Sequence, residues 1–168
     1  IYVPAATPKQ KRDRIKVHGG NMVELVVTGA NFDEASAAAH DYAEETGATI
    51  IEPFAARDTI VGQGTVAAEI LSQLSAMGKS PDTIVVPVGG GGLISGILSY
   101  LADMSPRTAV VGVEPAGAPS LNAALKAEKP VTLDAVDPFV DGAAVKRIGD
   151  INYQIIEKNL GRLHPLVV

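Results

Sequence analysis

The stretch "IVVPVGGGGLISGILSYL", residues 84–101, carries the clearest structural pattern of this chain. Its apolar and largely β-branched beginning is typical of a buried parallel strand, and its end has the apolar spacing of a helix. Between the two lie four consecutive glycines, Gly89 to Gly92, and each loses more backbone freedom on folding than any other residue type. The sequence therefore predicts a strand, a glycine loop and a helix, and the loop needs a role that offsets its entropic cost.

The composition indicates a globular α/β protein. Of the 168 residues, 46% are hydrophobic and only 4% are aromatic, so the core consists mainly of Val, Ile, Leu and Ala, as in a buried parallel sheet. The net charge of −5 argues against a nucleic-acid partner or an anionic membrane surface. The chain has no cysteine, which excludes disulfides, thiolate metal sites and Cys nucleophiles. We expect no membrane span, because no apolar run approaches about 18 residues. No signal-peptide pattern is visible either.

Strand-like and helix-like segments alternate along the chain. We predict helices over residues 7–20, 31–47, 58–78, 93–101, 119–130 and 152–161, the first three capped by Thr7, Asn31 and Asp58. We predict strands over residues 1–4, 22–29, 48–54, 84–88, 107–115 and 162–168, parallel and joined by right-handed crossovers. The turn at residues 79–82 divides a smaller lobe with its connecting helix, residues 1–78, from part of a larger lobe, residues 82–168. Gly62 and Gly64 weaken the connecting helix, which indicates a close backbone approach there.

A glycine loop between a parallel strand and a helix predicts an anion site at the carboxyl edge of the sheet. The helix contributes unsatisfied N–H groups and the positive end of its dipole, and glycines let the loop turn its own N–H groups inward. The spacing of an ATP-binding loop is broken by Ile97, which stands where lysine is needed. The dinucleotide spacing G-x-G-x-x-G fails at Ile94, although Glu114 at the end of the next strand keeps a dinucleotide open as an alternative. A small phosphorylated ligand held by backbone amides fits the pattern best.

The segment "VPVGGGGLISG" resembles the phosphate loop of the threonine dehydratase family, which belongs to the fold-type II pyridoxal-phosphate enzymes. Further blocks resemble that family in the same order: "YVPAATPKQKRDRIKVHGG", "GANFDEASAAA", "EPFAARDTIVGQGTVAAEIL", "VVGVEPAGAPS" and "DGAAVKRIGD". The longer form "VDGAAVKRIGD" resembles the biosynthetic members most. The resemblance implies an α/β fold of two lobes with mostly parallel sheets, like that of the tryptophan synthase β subunit.

The resemblance also implies roles for particular residues. Gly89, Gly90, Gly91 and Gly92 would bind the phosphate of pyridoxal 5'-phosphate through their N–H groups, with Leu93 opening the helix behind them. Gly142 matches a glycine that lines the cofactor ring. Glu114, the carbonyl of Ala118 and Ser120 match the ligands of a mono- or divalent cation in some relatives. Metal-binding relatives have a carboxylate where this chain has Ser120, and an acid is common in the family where it has Ala55.

The implied activity is the deamination of L-threonine to 2-oxobutanoate and ammonia in isoleucine biosynthesis. The Schiff-base lysine of the family lies upstream of Ile1, so no catalytic residue is assigned, and the family does not use the position of Lys146 for this purpose. We therefore expect the chain to be an internal fragment, inactive alone, of a cytoplasmic homodimer or homotetramer that acts on an amino acid. The alternatives are a serine dehydratase, a serine racemase, a threonine synthase, or a non-catalytic phosphate-binding module.

Overall fold

The computed structural model describes residues 1–30 and 32–168, the side chain of residue 33 excepted. Contacts divide the chain into two compact units, residues 1–51 and residues 52–168. The assignment of residues 1–78 and 82–168 to the two lobes of a whole enzyme stays a prediction. Within this chain, the predicted connecting helix belongs to the second unit because it packs along the helix that follows the glycine loop.

The first unit contains two short parallel strands and two helices: β1 (Tyr2–Val3), α1 (Lys9–Gly19), β2 (Val26–Val27) and α2 (Phe32–Thr46). Gly20 follows α1 with a φ of 52°, which suits glycine, and ends the helix as predicted. The predicted cap at Thr7 is wrong, because Pro8 occupies the capping position and no side chain caps α1. The predicted cap at Asn31 lies outside the described residues. Gly47 follows α2 with a φ of 73° and ends it, as predicted.

The second unit is built on a parallel sheet in the order β3–β4–β5, with β3 at Thr83–Pro87, β4 at Ala109–Glu114 and β5 at Leu163–Val167. Four helices accompany it: α3 (Arg57–Ala76), α4 (Gly92–Met104), α5 (Ser120–Ala127) and α6 (Asp150–Lys158). A one-turn 3-10 helix lies at Pro138–Val140. The parallel pairing and the α/β alternation confirm the predicted fold class.

Helix α4 forms the centre of the core. Ile94, Ile97, Leu98 and Leu101 are fully or almost fully buried and pack with residues of the sheet, α3, α5 and α6. This burial explains why most residues of the segment are apolar, since a helix covered by neighbours on most sides has little polar face. The beginning of α4 is therefore held rigidly at the end of β3.

Two further local predictions are wrong. Residues 48–54 do not form a strand, and no strand of the described chain pairs with them, although their apolar sequence suits one. Asp58 does not cap α3, because the helix begins one residue earlier, behind Ala56, and Asp58 lies in its first turn. Among the described residues, no helix is both long and apolar enough to cross a membrane.

Candidate functional site

The glycine loop connects the carboxyl end of β3 to the first turn of α4. Strand β3 ends at Pro87 and helix α4 begins at Gly92, so the loop lies at the sheet edge where ligands of open α/β folds bind. Gly91 precedes the helix with a φ of 90°, in the left-handed region that residues with a Cβ rarely adopt. Backbone geometry therefore requires glycine at this position.

Close neighbours explain the other loop glycines. A Cβ on Gly90 would overlap the ring of Phe54 and lie 2.5 Å from its Cγ, and one on Gly92 would lie 3.0 Å from Phe54 Cβ. A Cβ on Gly89 would lie 3.2 Å from Cα of Ala143. Phe54 and the segment around Ala143 thus pack directly on the loop backbone, and side chains on the loop would fill this space.

The loop presents donors rather than acceptors. The carbonyl of Gly89 accepts from Ser120 Oγ (3.3 Å), that of Gly90 from the N–H of Gly149 (3.1 Å), and that of Gly91 from the N–H of Ser95 (3.0 Å). In the described part of the chain, by contrast, the N–H groups of residues 89–94 have no hydrogen-bond acceptor. Unsatisfied N–H groups at a helix N-terminus form a site for an anion.

A cavity of about 570 Å³ lies against these donors. Its lining includes the four loop glycines and Leu93 together with Phe54, Gln63, Val140, Gly142 and Val145. None of the described residues that line it carries a charge, so any anion in it is held by backbone dipoles. The donors and the glycine backbone are suited to a phosphate group, and the binding of a cofactor phosphate by Gly89 to Gly92 stays a prediction.

Gly142 and Leu93 lie on this cavity with the loop. The carbonyl oxygen of Gly142 would be 3.3 Å from a Cβ on Gly89, so residues 53 positions apart in the sequence meet here. The space beside Gly142 itself is open, since an added Cβ would have no neighbour within 4 Å. Leu93 is half-buried in the first turn of α4 and also packs against the core. The contact of Gly142 with a cofactor ring stays a prediction.

The three residues predicted to bind a cation have contacts within the chain. The Glu114 carboxylate is 1% exposed and accepts from the N–H groups of Leu121 (2.6 Å) and Asn122 (2.8 Å), at the start of α5. Burial raises the pKa of Glu114, and these two N–H groups oppose that effect. Ser120 donates to the glycine loop, and Ala118 is fully buried. The described side chains contain no cluster of three or more His, Asp or Glu suited to a metal.

Asn152 is a contact residue of the loop that the sequence analysis missed. Its Nδ2 donates to the carbonyls of Gly90 (2.7 Å) and Phe54 (3.0 Å), so it joins α6 to both sides of the site. A signal was present in the sequence, because Asn152 shares the buried face of α6 with Tyr153 and Ile156. A polar residue on an apolar helix face indicates a specific buried partner.

The lysines of the chain are all exposed to solvent, Lys146 included. A lysine that reacts with a carbonyl group is activated by desolvation or by a neighbouring cation. None of the lysines in the described chain lines the glycine-loop cavity. The described part of the chain thus places no lysine amine at this cavity.

Comparison with known proteins agrees with this geometry. A model of the family described as "Pyridoxal-phosphate dependent enzyme" matches residues 1–164. L-threonine dehydratase biosynthetic IlvA of Corynebacterium glutamicum is 73% identical over 166 residues, which are 99% of this chain and 38% of that protein. This chain therefore spans well under half the length of that relative.

Solved structures show the same fold. Threonine deaminase isoform 2 from Solanum lycopersicum superposes with a TM-score of 0.85 at 35% identity, covering 98% of this chain and 46% of that one. Maize serine racemase also gives a TM-score of 0.85, at 31% identity over 98% of this chain and 47% of that one. With a family model that matches almost its whole length and a glycine loop suited to a phosphate, the chain belongs to the pyridoxal-phosphate dependent enzyme family.

Proposed function

We propose that this chain is part of a pyridoxal-phosphate-dependent L-threonine dehydratase, which deaminates L-threonine to 2-oxobutanoate and ammonia in isoleucine biosynthesis. The observation that carries the proposal is the glycine loop, whose N–H groups lack acceptors while its carbonyls are held by other partners. The 73% identity to a protein named as biosynthetic L-threonine dehydratase supports threonine as the substrate. Maize serine racemase, at 31%, is much less similar in sequence.

In this proposal, the chain binds and orients the cofactor. The N–H groups from Gly89 to Leu93 bind the phosphate, and the N-terminal dipole of α4 adds to its stabilisation. Gly142 lines the cofactor ring, since the open space beside it leaves room for a flat group. When bound, pyridoxal phosphate supplies the electron sink for removal of the substrate α-proton. The chain's residues fix where that chemistry takes place.

The lysine that reacts with the cofactor is proposed to lie in the whole protein outside this chain. The exposure of every lysine here supports this, because no amine of the chain is desolvated beside the glycine loop. The whole enzyme is proposed to be a cytoplasmic homodimer or homotetramer. Light scattering of the purified whole protein measures that assembly directly.

A cation at Glu114, Ala118 and Ser120 stays a prediction that these contacts do not support. Both oxygens of Glu114 already accept N–H groups of α5, and the Ser120 hydroxyl donates to Gly89. We propose that the three residues stabilise the glycine loop and the start of α5. Activity that is unchanged by chelators and by added divalent cations would agree with this role.

The experiment compares the whole protein with the isolated chain. The whole protein with pyridoxal phosphate is expected to form 2-oxobutanoate from L-threonine, and to act less efficiently on L-serine. Residues 1–168 alone are expected to form none. A whole protein that never takes up pyridoxal phosphate would instead support a non-catalytic phosphate-binding module. Activity of the isolated chain that is lost in Lys146→Ala would place the reactive lysine here.

A further inference from the structure

Asn152 lies where α6 meets the glycine loop, and its side chain is completely buried. Nδ2 donates to two carbonyl oxygens, those of Gly90 and Phe54, at 2.7 and 3.0 Å. Because both partners are acceptors only, they fix the orientation of the side-chain amide. The two contacts connect α6 with the loop and with the segment that packs over it.

The contact with Gly90 also sets the direction of the next donor. The Gly90 carbonyl receives Asn152 Nδ2 and the N–H of Gly149, so it points towards α6. The peptide bond between Gly90 and Gly91 is trans, and in a trans peptide the C=O and N–H groups point in opposite directions. The N–H of Gly91 is therefore directed away from α6.

The two glycines make rotation of the peptide between Gly90 and Gly91 easy. Gly90 and Gly91 have no side chains that limit rotation of the peptide between them, so external contacts must hold it. A rotated peptide would direct a carbonyl oxygen, rather than an N–H group, at a bound anion. Asn152 and Gly149 are the partners that oppose this rotation at Gly90.

The unpaired oxygen of Asn152 argues that the amide is present for this contact. Asn152 Oδ1 is buried and has no hydrogen-bond partner among the described residues. An unsatisfied buried acceptor is unfavourable, and an apolar side chain would avoid it. A side chain selected for packing alone would thus be apolar, whereas the two Nδ2 contacts require an amide donor.

We propose that Asn152 is a positioning residue for cofactor phosphate binding: it holds the Gly90 carbonyl towards α6 and so keeps the N–H of Gly91 available to the phosphate. The proposal rests on the proposed function, because it takes the phosphate of pyridoxal phosphate as the anion. It assigns Asn152 no contact with the substrate or with the reacting atoms. Its effect is specific to the phosphate and does not extend to the cofactor ring.

The test measures affinity for two probes, pyridoxal phosphate and pyridoxal, with the cofactor-free whole protein. Asn152→Leu is expected to weaken the binding of pyridoxal phosphate by about tenfold, roughly the effect of one or two lost hydrogen bonds, and that of pyridoxal by less than about twofold. A general loss of structure would weaken both probes alike. Equal losses, or no loss for pyridoxal phosphate, would overturn the proposal.

Thr108→Val provides the matched control. Thr108 is buried, and its hydroxyl donates to the carbonyl of Pro81 at 2.9 Å, at the opposite edge of the sheet from the glycine loop. This variant loses a buried side-chain hydrogen bond too, but its two affinities are expected to stay within about twofold of wild type. A selective loss of pyridoxal phosphate in this control would also contradict a role special to Asn152.

A second variant guards against poor folding. Circular dichroism shows whether Asn152→Leu is folded. If it is not, Asn152→Ser replaces it: the shorter side chain cannot reach both carbonyls, and water can enter the space that it leaves. The ratio of the two affinities, for pyridoxal phosphate and for pyridoxal, is then measured on that variant with the same expected outcomes. The wild-type protein tests the proposed function independently of Asn152. If it binds pyridoxal phosphate no more tightly than pyridoxal, the phosphate site itself is refuted.

Discussion

At Gly90 a neighbour, rather than the backbone angles, requires the absence of a side chain. Its φ is not in the left-handed region, but the ring of Phe54 occupies the place of a Cβ. The sequence predicted the loop from its four glycines, yet it gave no indication that Phe54 lies over it. Contacts between residues 36 positions apart follow from the tertiary fold, which local patterns do not specify.

Gly90→Ala is expected to lower the free energy of unfolding by about 2 kcal/mol, because the new methyl group must displace Phe54 or the loop. It should also weaken the binding of pyridoxal phosphate. Urea denaturation of the whole protein and a cofactor titration measure the two effects. Gly161→Ala is the control, since a Cβ there has no neighbour within 4 Å. Equal stability of the two variants would contradict the packing described for Phe54.

Glu114 is a buried carboxyl group whose pKa is raised by burial, against the opposing effect of two N–H donors. A carboxyl group with a raised pKa binds its proton more tightly in the folded than in the unfolded state. Its contribution to stability is therefore greatest below the ordinary pKa and is lost as the pH rises through the folded value. Other carboxylates titrate in the same range, so only a comparison with a variant isolates this group.

Glu114→Gln is expected to lie within about 1 kcal/mol of the wild-type stability at about pH 4, since the protonated carboxyl and the amide each offer the two N–H groups one good acceptor oxygen. The variant should become more stable relative to wild type as the pH rises from about 4 to about 7, because only the wild type has a buried group that ionises. Unfolding free energies of both proteins across this range provide the measurement. A variant that instead becomes less stable relative to wild type as the pH rises would show that the pKa of Glu114 is lowered.

Helices α3 and α4 show what the sequence could predict at the scale of elements. Gly64 was expected to permit a close backbone approach, and it lies against α4, where a Cβ would be 3.2 Å from the carbonyl oxygen of Gly96. Gly62 was expected to do the same, but the space around it is open. The apolar periodicity predicted helix α3. Which of its glycines faces α4 depends on how α3 is rotated about its axis in the fold, and the local sequence does not specify this.

Gly96→Ala is expected to separate α3 from α4. Its Cβ would lie 2.5 Å from the backbone nitrogen of Gly64 and 2.6 Å from the carbonyl oxygen of Ile60, and backbone cannot move as a flexible side chain does. We expect the free energy of unfolding to fall by about 3 kcal/mol, at the upper end for overpacking.

Gly62→Ala is the matched helical control for Gly96→Ala. It is expected to leave stability unchanged or to raise it by about 0.5 kcal/mol, because alanine is the better helix former and the space is open. Thermal and urea unfolding of both variants in the whole protein test the pair. Similar stabilities of the two would contradict the close contact between the helices.

For the molecule as a whole, local patterns predicted the order and type of most elements but not every boundary. The ends of α1 and α2 could be predicted from the glycines there, and β3 from its apolar run. Residues 48–54 have a strand-like pattern, but no described strand lies beside them to form hydrogen bonds with their backbone. They therefore do not form a strand. The site was predicted at the glycine loop but without Asn152, because hydrogen bonds between distant segments leave no short-range motif.

One face of strand β3 is exposed in this chain. Val85 is 66% exposed although the neighbouring positions Ile84 and Val86 are buried, so one face of the sheet is uncovered in this chain. Parallel sheets are usually covered on both faces. The chain spans 38% of the length of its relative from Corynebacterium glutamicum. Stability and binding are therefore best measured on the whole protein.

We propose that the N–H groups from Gly89 to Leu93 hold a cofactor phosphate with no charged side chain. A crystal structure of the whole protein with pyridoxal phosphate tests it most directly. We predict phosphate oxygens at about 2.7–3.2 Å from several of these backbone nitrogens, with the Gly90 carbonyl still bound to Asn152. A phosphate held by lysine or arginine side chains elsewhere, with the glycine loop turned away from it, would contradict the claim.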